Sequence, residues 1–430
     1  MRKLPTLRGF VCYILFLFFA LQPHRGLAAT IFRDQDGEEL LPEKQTTGNH
    51  LQTFMDLVGA SGYTAEEHDV TTQDGYILSI HRIPGGPKSP VTPGKPAVVL
   101  IHGLFAASDI WVLRGPGKDL AYLLCDEGYD VWFLNIRGNF YGKRHKRLST
   151  KDSKFWRFSW HEFGIYDAPA TIDYVLKITG LGKVSLIGHS MGATIELVLF
   201  SMKPEYNDKV NVAISFAPVA IFTHLLPGLF GNLGIRYGKQ LQKTFQLLGM
   251  NEILPRNTAS IEIYSSLCEG PRIEYFCRKF MFNLVGLTNA EQFDTSMIPM
   301  MLQHYPQGTS LETLLHFRQN ILSGKFRQYD FGPGRNLVRY KNVNPPEYNL
   351  TKVTVPAVLF YGSNDAYTTE KDVMALRARL PNAITREVPF EKFSHLDFLF
   401  SNYSKILVYD DVISVLSKYN IDERINETQP

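Results

Sequence analysis

A chain of 430 residues with 44% apolar and 20% charged side chains is long enough for a large buried core and has an ordinary globular composition, with room for two to three structural units. Its 45 basic and 42 acidic side chains nearly cancel, which excludes the basic footprint of a nucleic-acid binder.

Arg2, Lys3 and Arg8 precede an uninterrupted apolar run from Phe10 to Leu21, and small residues follow at Gly26, Ala28 and Ala29. Positive start, apolar middle and small-residue exit describe a secretory signal, and about a dozen apolar residues are too few for a span of about 20. Residues 1–29 are therefore expected to be removed, which leaves 41 basic against 42 acidic side chains and no transmembrane segment.

The next informative stretch is Glu67 to Thr72 and Tyr76 to His81 around Gln73-Asp74-Gly75. Asp-Gly between strand-like runs predicts a hairpin. After a Pro- and Gly-rich linker, Ala97-Val98-Val99-Leu100-Ile101 reads as a fully buried parallel strand, because a strand covered on both faces loses its alternation. It ends in His102-Gly103-Leu104. Gly103 permits close approach of a ligand to the backbone, the amide of Leu104 is placed to receive an oxyanion, and His102 reads as structural.

Lys118 to Glu127 then reads as a helix closed by Gly128, and Asp130 to Asn135 as another buried strand. The short basic cluster Lys143 to Arg147 reads as a solvated loop. The aromatic run from Phe155 reads as core leading into a helix with apolar residues at Ile172, Val175, Leu176 and Ile178. Lys183 to Thr194 contains an apolar strand, then Gly188-His189-Ser190-Met191-Gly192, then a helical segment. A serine between two glycines at a strand-to-helix turn predicts a nucleophile on a tight elbow, with the amide of Met191 facing a developing oxyanion. Val210 to Phe216 is the next strand. Strands alternating with helices over this length predict an α/β fold with a mostly parallel central sheet and helices on both faces.

The alternation stops from about Ile221 to Asn349, where helical patterns are broken by Gly and Pro. Residues 221–349 are expected to form a largely helical insertion covering the elbow, between core segments 30–220 and 350–430. Leu225 to Phe230 and Met297 to Leu302 are apolar enough to line a lipid pocket or to fill core. The strand pattern returns at Val355 to Gly362, followed by Asp365, and at Ile384 to Phe390, followed by His395. The chain order Ser190, Asp365, His395 is that of an alpha/beta-hydrolase triad. Such a triad splits an ester without cofactor or metal: His395 accepts the serine proton and Asp365 fixes its tautomer.

Three cysteines remain after the leader. Cys268 and Cys277, close in sequence in an oxidising compartment, are expected to be joined, and Cys125 to be a buried apolar side chain. Asn349, Asn402 and Asn426 open N-x-Ser/Thr sequons, which fit a secretory route.

Asp74-Gly75-Tyr76-Ile77-Leu78, His102-Gly103-Leu104, Asn135-Ile136-Arg137-Gly138-Asn139, Phe155 to Ala170, Gly188 to Gly192, Gly308-Thr309-Ser310, Ser323-Gly324-Lys325-Phe326, Pro345 to Leu350 and His395-Leu396-Asp397-Phe398 occur in that order. From about His50 to Asp410 the chain resembles the acid lipase family of gastric and lysosomal lipases and invertebrate digestive relatives. The resemblance implies a secreted or lysosomal glycoprotein with a cap domain, a triad at Ser190, Asp365 and His395, and a cap disulfide between Cys268 and Cys277. It further implies hydrolysis of triacylglycerols and sterol esters at an oil–water or membrane interface, by what is expected to be a monomer. Two positions depart from the family pattern: Met191, where many relatives carry glutamine, and Ala366, where a leucine often follows the acid. The alternatives are a carboxylesterase for small soluble esters and an inactive lipid-binding protein of the same fold. A binding protein has no reason to keep both the triad and the oxyanion positions.

Overall fold

A computed structural model describes residues 51–224, 229–266 and 292–426. The leader, Cys268 and Cys277 lie outside them, as do residues 225–228 and 427–430.

The strands are β1 (Thr64–Thr71), β2 (Tyr76–Gly85), β3 (Ala97–Ile101), β4 (Asp130–Leu134), β5 (Arg144–His145), β6 (Val184–His189), β7 (Val210–Phe216), β8 (Glu252–Ile253), β9 (Thr309–Ser310), β10 (Ala357–Tyr361) and β11 (Ala383–Glu387). Nine of them form one sheet in the order β1-β2-β4-β3-β6-β7-β10-β11, with the short β5 beside β2. The pairs from β4 through β11 are parallel, and β1, β2 and β5 form an antiparallel margin.

Alternation along the strands sorts the core into two layers. Val98, Leu100, Val131, Phe133, Ile187, Ile214, Val358 and Phe360 pack on one face with the helices Phe54–Ala60 and Leu120–Asp126 and with Val412 and Leu416 of the last helix, Asp410–Asn426. Ala97, Val99, Ile101, Trp132, Leu134, Leu186, Ala213 and Leu359 pack on the other with the helices Ala168–Thr179, Met191–Met202 and Glu370–Arg377. Each such aliphatic side chain contributes roughly 1.5 to 3 kcal/mol on burial. The run Phe155, Trp156, Phe158, Trp160 and Phe163 is buried in the second layer, as core.

β4 lies on one side of β3 and β6 on the other, so the chain reverses direction across the sheet at β3. The loops leaving the carboxyl ends of β3 and β6 diverge there, at the position where open α/β sheets bind ligands.

Between β7 and β10 the described residues form the helices Leu229–Leu247, Thr258–Ser266, Ile298–His304, Leu311–Ser323 and Pro333–Tyr340, and β8 pairs antiparallel with β9. Of the two apolar segments, Leu225 to Gly228 lie outside the described residues. Ile298, Met301 and Leu302 are buried in the first core layer, as filling. Among the described residues no helix is long and apolar enough to cross a membrane.

Two local expectations change. The basic cluster is not a free loop: Arg144 and His145 pair with β2, Arg144 bonds Asp69 and Ser79, and Lys143 pairs with Glu252. The last strand stops at Glu387, because Pro389 has no N–H to donate and the amide of Phe390 turns back to the carbonyl of Val388 at 2.7 Å. Cys125 is buried without a disulfide, and burial pushes its thiol up to about 11. The sequon residues Asn349 and Asn402 are exposed, and Asn426 ends the last helix.

Candidate active site

Ser190 sits between β6 and the helix Met191–Met202 with φ +56° and ψ −113°. A side chain at positive φ is strained by roughly 1 to 3 kcal/mol and persists only where the surroundings impose it. Here the Ser190 amide donates to the carbonyl of Phe216 on β7 at 2.8 Å. The flanking glycines let the crossing elements touch. A Cβ on Gly192 would lie 2.2 Å from the carbonyl oxygen of Ile101, and one on Gly188 would lie 2.7 Å from the Ala193 amide nitrogen.

Three distant segments converge on this turn. His395 Nε2 lies 2.8 Å from Ser190 Oγ, and its Nδ1 lies 2.8 Å from Asp365 Oδ2. With a carboxylate on one side, Nδ1 carries the proton and Nε2 is left to accept one from the serine. Asp365 is fixed in turn: the amides of Tyr367 and Thr368 donate to Oδ1 at 2.8 and 3.1 Å, and the Thr368 hydroxyl donates to Oδ2. Burial works against its charge. The His395 imidazole and these donors outweigh it and hold the carboxyl below its ordinary value. Ala366, the departure from the family pattern, leaves this turn intact.

His189, which sequence reasoning passed over, holds the backbone of His395. Its Nε2 donates to the His395 carbonyl at 2.9 Å, and burial pushes its pKa down to about 3, so the ring stays neutral beside the triad. His102 is structural: Nδ1 donates to the Gly103 carbonyl at 2.8 Å, and Nε2 accepts from the Asn139 amide at 3.2 Å. Burial holds it near pKa 4.

The two predicted oxyanion donors flank the serine. A Cβ on Gly103 would lie 3.3 Å from Ser190 Cβ, which puts the Gly103 backbone against Ser190. Met191 opens a twelve-residue helix, whose first amides have no intrahelical acceptor and carry the positive end of the helix dipole. The Met191 side chain is fully buried in the second core layer. Among the described residues no group of three or more His, Cys, Asp or Glu side chains could hold a metal ion.

Beneath the elbow lies Glu196, fully buried, accepting from the Ser215 hydroxyl at 2.8 Å with its other oxygen unpartnered. Its position inside the apolar run Ala193 to Phe200 was the only hint in the sequence. Burial raises its pKa from 4.5 to about 8, against a smaller opposing effect of Ser215. A carboxyl that holds its proton more tightly when folded stabilises the fold fully below about pH 4.5. That contribution is lost as pH rises toward 8. Glu196→Gln is therefore expected to melt at a temperature close to the parent's at pH 4.5 and above it at pH 8.5, a relative gain on the order of 2 to 4 kcal/mol. Thermal denaturation at the two pH values measures this, and parallel curves would refute it.

Residues 54–115 match the family described as "Partial alpha/beta-hydrolase lipase region", and residues 96–249 match "alpha/beta hydrolase fold". The chain is 40% identical over 361 residues to Lipase 3 of Drosophila melanogaster, covering 83% of this chain and 91% of that protein. It is 35% identical over 369 residues to gastric triacylglycerol lipase of Homo sapiens, covering 83% and 89%. A putative lysosomal acid lipase/cholesteryl ester hydrolase of Crotalus adamanteus is 33% identical over 383 residues, covering 87% and 94%. The chain belongs to this family of gastric and lysosomal acid lipases within the alpha/beta hydrolases.

Proposed function

We propose that the protein is a serine ester hydrolase, a lipase that cleaves triacylglycerols and sterol esters through an acyl-enzyme at Ser190. The observation that carries the reading is the continuous chain from Ser190 Oγ through His395 to Asp365, at 2.8 Å in each link, in a chain whose relatives are lipases by name.

His395 Nε2 takes the hydroxyl proton as Ser190 Oγ attacks the ester carbonyl, and the same proton passes to the departing alcohol. Asp365 stabilises the imidazolium and keeps its tautomer. The amides of Leu104 and Met191 receive the negative charge on the carbonyl oxygen. Water then enters, His395 deprotonates it, and the fatty acid leaves.

The segment 221–349 acts as a cap. Tyr305 and Gln307 from it bond the carbonyls of Leu104 and Phe105 beside the nucleophile, which supports that assignment. The remaining assignments accompany this one: a removed leader at 1–29, a Cys268–Cys277 disulfide, glycans at Asn349, Asn402 and Asn426, secretion or lysosomal delivery, and a monomer that binds a lipid surface.

Rates on an emulsified long-chain triacylglycerol and on a dissolved short-chain ester test the substrate class. The expected result is substantial hydrolysis of the emulsion, rising once the substrate exceeds its solubility. Hydrolysis confined to the dissolved ester would replace the lipase reading with that of a carboxylesterase.

A further inference from the structure

The loop that carries the Leu104 amide is held from the insertion, not only from the sheet. On the sheet side, the amide of Ser108 donates to Asn135 Oδ1 at 2.9 Å, and the Ser108 hydroxyl lies 2.6 Å from His81 Nδ1. On the other side, the amide of Gln307 donates to the Phe105 carbonyl at 2.7 Å, and the Tyr305 hydroxyl reaches the Leu104 carbonyl at 3.4 Å. Phe105 sits at φ +59°, a conformation a phenylalanine adopts only under external constraint.

That constraint leads to one buried carboxylate. Asp109 is fully buried, four residues beyond Phe105. Its Oδ2 accepts from His304 Nδ1 at 2.7 Å and from the Gln307 side-chain amide at 2.9 Å, and its Oδ1 accepts from the Tyr141 hydroxyl at 2.7 Å. The Arg256 guanidinium lies 3.6 Å away. Gln307 also donates to the His304 carbonyl at 2.7 Å, so its side chain closes the turn that aims its own amide at Phe105. His304, Gln307 and Arg256 belong to the insertion, whereas Asp109 and Tyr141 belong to the core.

We propose that Asp109 and Gln307 are positioning residues for the oxyanion hole: through them the insertion fixes the Gly103-Leu104-Phe105 backbone, and with it the Leu104 amide, against Ser190. This rests on the assignment of Ser190 as nucleophile and Leu104 as oxyanion donor. Neither side chain touches the reacting atoms. Their action is to hold a donor where charge develops, and a donor misplaced by about 1 Å loses up to a hundredfold in rate.

The test uses Asp109→Asn and Gln307→Ala in the full chain, well below each variant's melting temperature. With a dissolved short-chain ester, kcat is expected to fall about tenfold or more with KM within about twofold, the pattern of an interaction made only in the transition state. Phosphonylation of Ser190 by a p-nitrophenyl alkylphosphonate, which builds a tetrahedral oxyanion-like adduct, is expected to slow by a similar factor. The phosphorus-31 resonance of the adduct should move in both variants, and the double variant should lose little more than either single one. Folded variants with unchanged kcat and an unmoved resonance, or with a raised KM alone, would overturn the proposal. Should Asp109→Asn not fold, Gln307→Ala, which leaves His304 and Tyr141 on Asp109, decides the matter. If the parent protein takes up no phosphonate at Ser190, it is the nucleophile assignment that fails.

Discussion

Ser190→Ala is expected to lower kcat on any ester by about 10⁶-fold while leaving the protein folded. The substitution removes one oxygen and nothing else. The amide of residue 190 still donates to Phe216, and the glycines on either side still allow the helix to pass Ile101. The positive φ is retained as well, so alanine inherits the strain and the melting temperature should hardly change. Without Oγ, His395 has no proton to accept from the protein and no acyl-enzyme can form. Hydrolysis and phosphonate labelling, measured together, check this. Residual activity within a hundredfold of the parent would mean that another group is the nucleophile.

Asp365→Asn is expected to reduce kcat by about 10⁴-fold. The carboxylate accepts from the amides of Tyr367 and Thr368 on one oxygen, and from His395 and the Thr368 hydroxyl on the other. An asparagine must keep its carbonyl toward the two backbone amides, so its NH₂ faces His395 Nδ1. That nitrogen then becomes an acceptor, and the proton moves to Nε2, where it points at Ser190 Oγ and blocks proton transfer. The loss should appear in kcat, with little change in KM for a dissolved ester, and Ser190 labelling should slow in step. An equal loss caused by misfolding would show as a lowered melting temperature.

Much of this arrangement was legible in the residues because its determinants are local. The unbroken apolar runs at Ala97 to Ile101 and Asp130 to Leu134 identified doubly covered strands. Gly188 and Gly192 around Ser190 identified the elbow, because a Cβ at either position would strike backbone, the Ala193 amide at Gly188 and the Ile101 carbonyl at Gly192. Asp365 and His395 were found by their positions just past late strands. What escaped was non-local. Asp109 and Gln307 are separated by 198 residues, and no spacing rule joins them. His189 lay in plain view inside the elbow motif, yet its bond to the His395 carbonyl depends on how β6 and the final loop meet. The end of β11 and the pairing of Arg144 were misjudged for a related reason: at a sheet margin, proline and ion pairs decide where pairing stops, and hydrophobic pattern says little.

The order in which the three segments of the triad occur also bears on biosynthesis. Ser190 and His395 are 205 residues apart, and at a ribosomal pace of about 5 to 20 residues per second the second emerges roughly 10 to 40 s after the first. Throughout that interval the nascent polypeptide presents a hydroxyl with no base to ionise it. An enzyme able to attack fats is thus inert while it is being made.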